Sequence, residues 1–228
     1  MADATSARPE RAVIFDADGV LIDSYHAHFE AWKAMGRELG MGLTEERFAG
    51  TFGRRNEDLM HDLWDDAVAE ADIPAWSDWK EERYREIIRE DFPAMDGAVA
   101  LIDALRAAGF GLAVGSSGPP ENVTACIRGL GREDAFGATV DGTQVSRGKP
   151  EPEVFLTAAE KLGVPPARCA VVEDAVAGVE AARRAGMTAI GLTGTTTREA
   201  LASRARLVVD SLRDLSPERI AALLNGNT

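Results

Sequence analysis

Ala12-Val13-Ile14-Phe15-Asp16-Ala17-Asp18-Gly19-Val20 is the stretch on which the reading of this chain turns. Val13-Ile14-Phe15 is β-branched and aromatic without a polar break, the pattern of a strand buried on both faces. The run stops on two carboxylates at i and i+2, which lie on the same side of an extended chain. Gly19 then permits a sharp turn. Two close carboxylates repel, and a hard cation with oxygen ligands, such as Mg2+, offsets that repulsion. Beside such a cation Asp16 can act as a nucleophile toward phosphorus, as carboxylates do in acyl-phosphate chemistry. Asp18 can serve as acid to the leaving oxygen and as base to the incoming one.

Working outward, further strand-sized apolar runs occur at Gly111 to Val114, Ala170 to Val172, Ala189 to Leu192 and Leu207 to Val209. Helical patterns separate them at Gly97 to Ala108, Glu121 to Leu130, Pro152 to Leu162, Val176 to Ala185 and Pro217 to Leu224. That alternation predicts an α/β fold, a Rossmann-like parallel sheet with helices on both faces.

One region breaks it. Between Ser24 and Phe92 no strand is legible, whereas Tyr25, His28, Phe29, Trp32, Met35 and Leu39 recur at steps of three and four. Thr44 is placed to cap a second helix, with others expected over Asn56 to Ala71 and Asp78 to Glu90, and with Pro74 and Pro93 as boundaries. The expected organisation is a core of residues 11–22 and 94–228 carrying an all-helical cap domain at 23–93. An insert leaving the carboxyl end of the first strand would hang over the place where open α/β sheets bind ligands. The tryptophans Trp32, Trp64, Trp76 and Trp79 read as the core of that insert, and Arg83, Arg85 and Arg89 as a solvated face.

Three further elements stand where the same sheet would present them. Gly115-Ser116-Ser117-Gly118 offers hydroxyls and backbone N–H groups at the opening of a helix, which suit phosphate oxygens. Lys149, in Arg147-Gly148-Lys149-Pro150, can neutralise phosphoryl oxygens as negative charge develops. Glu173-Asp174 ends the run Cys169 to Val172 and adds a second acidic pair to a metal site. Gly142 to Lys149 does not fit a P-loop, because five residues separate its glycines and Pro150 stands where Ser or Thr is needed.

Composition narrows the class. The 228 residues are 45% hydrophobic and 28% charged, which excludes a disordered chain, and the longest apolar runs are far short of a membrane span. The formal net charge of −13, with no basic block, argues against nucleic acid. Cys126 and Cys169 sit in unrelated apolar contexts and read as buried thiols of a cytoplasmic protein. The N-terminal ten residues have no secretory pattern.

Asp16-x-Asp18-Gly19-Val20, Ser116, Lys149 and Glu173-Asp174, in this order, resemble the four motifs of the haloacid dehalogenase superfamily, and the resemblance runs from Ala12 to about Leu212. It implies Mg2+ and an aspartyl-phosphate. Asp16 would be nucleophile and metal ligand, and Asp18 acid/base and metal ligand through its backbone carbonyl. Ser116 and Lys149 would hold the phosphoryl group, with Gly19, Ser117 and Gly118 beside them. Asp174 would bind the metal, with Glu173 in or just behind its coordination sphere. The second aspartate favours phosphate esters, since the dehalogenases and phosphonate-cleaving members lack it. Ser24 to Lys33 is similar to the first cap helix of the β-phosphoglucomutase group, with His28 at the position of a substrate-orienting histidine. The group's cap arginine falls on Asn56, with Arg54 and Arg55 just upstream as substitutes. The expected partner is a small phosphorylated metabolite, met by a monomer or weak homo-oligomer. A phosphatase is the leading expectation and a phosphosugar mutase the alternative.

Overall fold

The computed structural model describes residues 8–49, 56–64 and 68–226. The chain divides into two compact units, one of Met1–Ile22 with Ala94–Thr228 and one of Asp23–Pro93.

The first unit is built on a sheet of six parallel strands in the order β3-β2-β1-β4-β5-β6. These are β1 (Ala12–Phe15), β2 (Gly111–Gly115), β3 (Ala138–Val140), β4 (Cys169–Glu173), β5 (Thr188–Leu192) and β6 (Leu207–Val209). β1 pairs with β2 on one side and β4 on the other, in the register Ile14 to Ala113 and Ile14 to Val171. The strand order therefore reverses around β1, and the carboxyl ends of β1 and β4 flank the switch point where such sheets bind ligands.

Helices α7 (Glu153–Leu162), α8 (Val176–Arg184) and α9 (Arg198–Ala202) pack on one face. Val154, Phe155, Ala158, Val179, Ala182 and Leu201 there enclose Ile14, Ala113, Val171 and Ala189 of the strands. Helix α5 (Ala98–Ala107) contacts β2, and α10 (Pro217–Leu224) contacts α5 and β4; α6 (Pro120–Leu130) follows β2. The central strands are buried throughout, which is why they read as unbroken apolar runs.

One strand and one α-helix of this unit were not foreseen. β3 is an edge strand of three residues whose middle residue, Thr139, is exposed, so it carries too little apolar signal. α9 has five residues and is defined by its cap, Thr197 Oγ1 accepting from Ala200 N at 3.4 Å.

The second unit contains α1 (Tyr25–Glu38), α2 (Glu45–Ala49), α3 (Asn56–Trp64) and α4 (Ile73–Glu90), and no strand among the described residues. α1 packs against α4 around Phe29, Trp32, Met35, Phe48, Leu59 and Trp64, with Trp76 and Trp79 against the same cluster. The expected helix over Asn56 to Ala71 is shorter: α3 covers Asn56–Trp64 among the described residues, and a 3-10 turn occupies Glu70–Asp72. The helix expected from Asp78 begins at Ile73, with Pro74 inside its first turn. Proline is favoured there because its missing N–H would be unpaired in any case and its φ suits a helix, so Pro74 starts the helix instead of preceding it.

Candidate active site

Asp16 follows the last residue of β1, and its N–H bonds to Val172 O of β4 at 3.0 Å, carrying the sheet ladder one step further. The chain then turns at once. Leu21 N donates to Ala17 O at 2.9 Å and Gly19 N to Ile22 O at 2.9 Å. Gly19 has φ +77°, and a Cβ on it would stand 2.0 Å from Asp174 Oδ2 and 3.0 Å from Thr195 Oγ1. Only glycine lets this turn close against the end of β4.

Lys149 reaches the same point from the loop before α7. Its Nζ lies 2.6 Å from Asp16 Oδ1 and 2.7 Å from Glu173 Oε1, with the Phe155 ring centroid 5.0 Å away. Glu173 is 1% exposed, and its other oxygen, Oε2, accepts from Ala175 N at 2.7 Å. A Cβ on Gly178, one turn into α8, would fall 1.6 Å from Glu173 Oε1. The glycine in this helix makes room for the carboxylate. Asp174 does not cap α8, whose N-cap is Ala175 without a side-chain bond. Its carboxylate joins Asp16 and Glu173 instead, and one oxygen from each of the three lies within 4.8 Å of the others.

Opposite stands the loop after β2. Ser116 N donates to Val140 O at 2.9 Å, and Ser116 Oγ accepts from Gly118 N at 3.0 Å. A Cβ at Gly118 would be 3.3 Å from Ser116 Oγ and 3.8 Å from Asp18 Oδ2, so hydroxyl, carboxylate and bare glycine backbone converge. Ser117 backs onto the loop after β3, where a Cβ on Gly142 would be 2.5 Å from Ser117 O. The structure thus brings together Asp16, Asp18, Gly19, Ser116, Ser117, Gly118, Lys149, Glu173 and Asp174 at the carboxyl edge of the sheet.

The electrostatics are lopsided. Burial pushes the Asp16 carboxyl up from 3.8 to about 7; Lys149 opposes the rise, and Glu173 and Asp18 add to it. Burial likewise raises Asp174 well above its ordinary value, reinforced by Glu173 and Asp16 and moderated by a hydrogen bond from Thr195. Burial alone would lower the Lys149 ammonium, but Asp16 and Glu173 hold it above the ordinary lysine value, so it stays charged. With one ammonium among Asp16, Asp18, Glu173 and Asp174, full ionisation of these carboxyl groups would leave a surplus of negative charge. Converging buried oxygen donors with that surplus fit a hard divalent cation such as Mg2+.

Two residues here escaped the sequence reading. Thr195 lies in the Thr193-Gly194-Thr195-Thr196-Thr197 run after β5, and hydroxyls at a strand's carboxyl end are the signal that could have found it. Asn122, buried in the first turn of α6, has its Cβ 4.0 Å from the position of a Cβ on Gly118. Nothing in the sequence separates it from a surface residue.

In the helical unit, His28 is half-buried on α1 and His26 is exposed. His28 Nδ1 lies 2.8 Å from Lys80 Nζ, and its ring stacks on Tyr84 at 3.9 Å with 2° between the planes. Lys80 is 2% exposed and pairs with Glu81 Oε1 at 2.8 Å, and Asn56 Nδ2 donates to the same oxygen at 2.8 Å. Burial would raise the Glu81 carboxyl, but Lys80 and His28 hold it below its usual value. Lys80 was missed because an isolated lysine in sequence reads as exposed. Arg54 and Arg55 lie outside the described residues.

Three comparisons bear on this geometry. A family profile described as haloacid dehalogenase-like hydrolase matches residues 10–186. The chain is 34% identical over 203 residues to a validoxylamine A 7'-phosphate phosphatase of Streptomyces hygroscopicus subsp. limoneus, covering 88% of this chain and 93% of that one. It is 33% identical over 189 residues to a β-phosphoglucomutase of Bacillus subtilis, covering 80% and 83%. Among solved structures, a family IA, variant 3 hydrolase of the same superfamily from Entamoeba histolytica superposes with a TM-score of 0.86 at 28% identity, over 94% of this chain and 99% of that one. No helix among the described residues is long and apolar enough to cross a membrane.

Proposed function

Since this chain belongs to the haloacid dehalogenase-like hydrolase family, we propose that it is a Mg2+-dependent phosphatase of a small phosphorylated metabolite, a sugar phosphate, working through an aspartyl-phosphate on Asp16. The observation that carries this reading is the buried Asp16 at the end of the central strand, held at 2.6 Å by the Lys149 ammonium among converging carboxylates. The phosphatase name of a relative covering 88% of the chain supports the same reaction class.

Asp16, Asp174 and the Asp18 backbone carbonyl would hold Mg2+, with Glu173 behind them because both its oxygens already serve Lys149 and Ala175 N. When bound, the ion neutralises the carboxylates and the phosphoryl oxygens, so that Asp16 stays anionic near neutral pH. The chain's own groups do the rest. Ser116 Oγ, oriented by the Gly118 N–H that donates to it, and the Lys149 ammonium bind the phosphoryl oxygens and stabilise the charge that develops on them. Asp16 attacks phosphorus while protonated Asp18 gives its proton to the leaving alcohol oxygen, which departs neutral. Asp18, now a carboxylate, takes a proton from water as the water oxygen attacks phosphorus. Phosphate leaves, and Asp16 and protonated Asp18 are restored. Two buried thiols, Cys126 and Cys169, accord with a cytoplasmic enzyme.

A second reading, a phosphosugar mutase, rests on His28, which the buried Lys80 and the Tyr84 ring hold in one orientation. Against it, Asn56 stands at the position of the mutase group's cap arginine and is committed to Glu81.

The test is phosphate release with Mg2+ over a panel of phosphorylated sugars, with Asp16→Asn as control. Release that the control abolishes is expected. No release from any substrate would overturn the phosphatase reading. Conversion of glucose 1-phosphate to the 6-phosphate only with a bisphosphate primer, and with little release, would favour the mutase.

A further inference from the structure

Lys149 stands on neither a strand nor a helix. The stretch from Val145 to Pro152 has no regular structure, yet the ammonium it carries keeps contacts of 2.6 and 2.7 Å with two carboxylates. Something must fix that loop against the sheet, because a lysine side chain loses much rotamer freedom when it is held in one place.

The fixing group on the page is Glu153, the first residue of α7. Its Oε1 accepts from Ser146 N at 2.9 Å, and its Oε2 accepts from Ser146 Oγ at 2.7 Å and from Arg147 N at 3.1 Å. One carboxylate thus gathers three donors from the two residues that lead into Gly148 and Lys149. The backbone and hydroxyl donors of Ser146 hold the carboxyl below its usual value, so it is ionised across the neutral range. Helix α7 is in turn anchored by Val154 and Phe155, both buried in the cluster that encloses Ile14 and Val171 of the central strands. Phe155, two residues beyond Glu153, lies 5.0 Å from the ammonium. The same helix end therefore grips the loop at its entry and lies beside the charged tip of its lysine. A turn from Glu151 N to Gly148 O at 3.0 Å closes the far side.

We propose that Glu153 is a positioning residue for phosphoryl transfer, acting through Lys149 by clamping the Ser146–Arg147 backbone to the start of α7. The proposal rests on the role given above to Lys149. Glu153 itself touches no reacting atom. Displacing a reacting or stabilising group by ~1 Å can cost on the order of 100-fold in rate. Loss of the clamp should therefore appear in turnover before it appears in stability.

The experiment compares wild type with Glu153→Gln, Glu153→Asp and Ser146→Ala, using p-nitrophenyl phosphate and the preferred sugar phosphate with Mg2+. Amide hydrogen exchange of the peptide covering residues 145–150 is measured on the same samples. In Glu153→Gln one acceptor oxygen remains but the other becomes an NH2 that faces a donor, and kcat should fall about 10- to 100-fold with a much smaller change in KM and a melting temperature within a few degrees of wild type. Glu153→Asp should recover part of that loss. Ser146→Ala, which removes one of the three bonds with little risk to folding, should lose a few-fold. Exchange at 145–150 should quicken in Glu153→Gln while the strands stay protected. Unchanged kcat in Glu153→Gln, or a loss that merely follows a drop in melting temperature, would overturn the proposal. Should the wild type turn over no phosphate ester, the phosphatase reading fails. The exchange comparison then decides about the clamp alone, and unchanged exchange at 145–150 sinks it.

Discussion

Replacing Asp16 by asparagine should stabilise the metal-free protein at neutral pH while abolishing its activity. Buried Asp16 has its carboxyl raised from 3.8 to about 7. Below pH 3.8 it is protonated in both folded and unfolded chains and costs nothing. As pH rises from there to about 7, the unfolded chain ionises and the folded chain does not, so stability falls, and it levels off once the folded carboxyl also ionises. At about 1.4 kcal/mol per pH unit, the whole span amounts to roughly 4 kcal/mol. Asp16 interacts closely with Glu173 and Asp174, so protons redistribute among them and the realised loss should be about 2–4 kcal/mol. Asparagine has the shape of the neutral acid and escapes the loss. Its melting temperature in a chelating buffer should exceed that of wild type by roughly 5–10 °C at pH 8, and the two should converge near pH 4. Mg2+ should raise wild type and leave the variant nearly unmoved. Thermal unfolding between pH 4 and 8, with chelator and with Mg2+, measures all of this. A variant less stable than wild type at pH 8 in chelator, or a wild type whose stability does not fall between pH 5 and 7, would refute the account of the acidic cluster.

Lys149→Ala leaves Asp16 and Glu173 without their shared cation; phosphate release should vanish, and urea unfolding should register a loss of about 3–5 kcal/mol. Gly178→Ala puts a methyl group where Glu173 Oε1 now lies, and should cost about 1–3 kcal/mol by thermal unfolding and on the order of 100-fold in kcat. Asp18→Asn should slow hydrolysis of an alkyl phosphate by roughly 100- to 10,000-fold, while an aryl phosphate, whose leaving group needs no proton, should lose much less in the first half-reaction, seen as a burst of released phenol. Lys80→Met leaves the buried Glu81 carboxylate without its cation and should cost about 3–5 kcal/mol, read by urea unfolding.

The fold was legible where physics writes a strong local signal. Ala12–Phe15 and Cys169–Glu173 are buried along their whole length, so their apolar runs are uninterrupted and end on the polar groups of the site. Ala138–Val140 was not legible, because an edge strand of three residues with one exposed side chain differs little from a loop. Pro74 misled for a related reason: proline breaks a helix interior but suits its first turn, and the sequence does not say which of the two it occupies.

The site was legible in its parts and not in its joints. Asp16 and Glu173 could be picked out because each lies at a strand end, and Lys149 because it lies just before a helix. That one ammonium bridges two of them, across 133 and 24 residues, is a property of the sheet order alone. Gly178 makes the same point from the other side. A glycine inside a short helix costs about 1 kcal/mol against alanine, so its presence asks for a reason. The reason lies five residues earlier, in a carboxylate that must fold back under the first turn of α8 to meet Lys149. Glu173 can hold the lysine only if position 178 has no side chain, and Lys149 can stay between two carboxylates only if Glu173 keeps that place. A helix that looks weakened in isolation is therefore the condition for the charge arrangement on which the proposed chemistry depends.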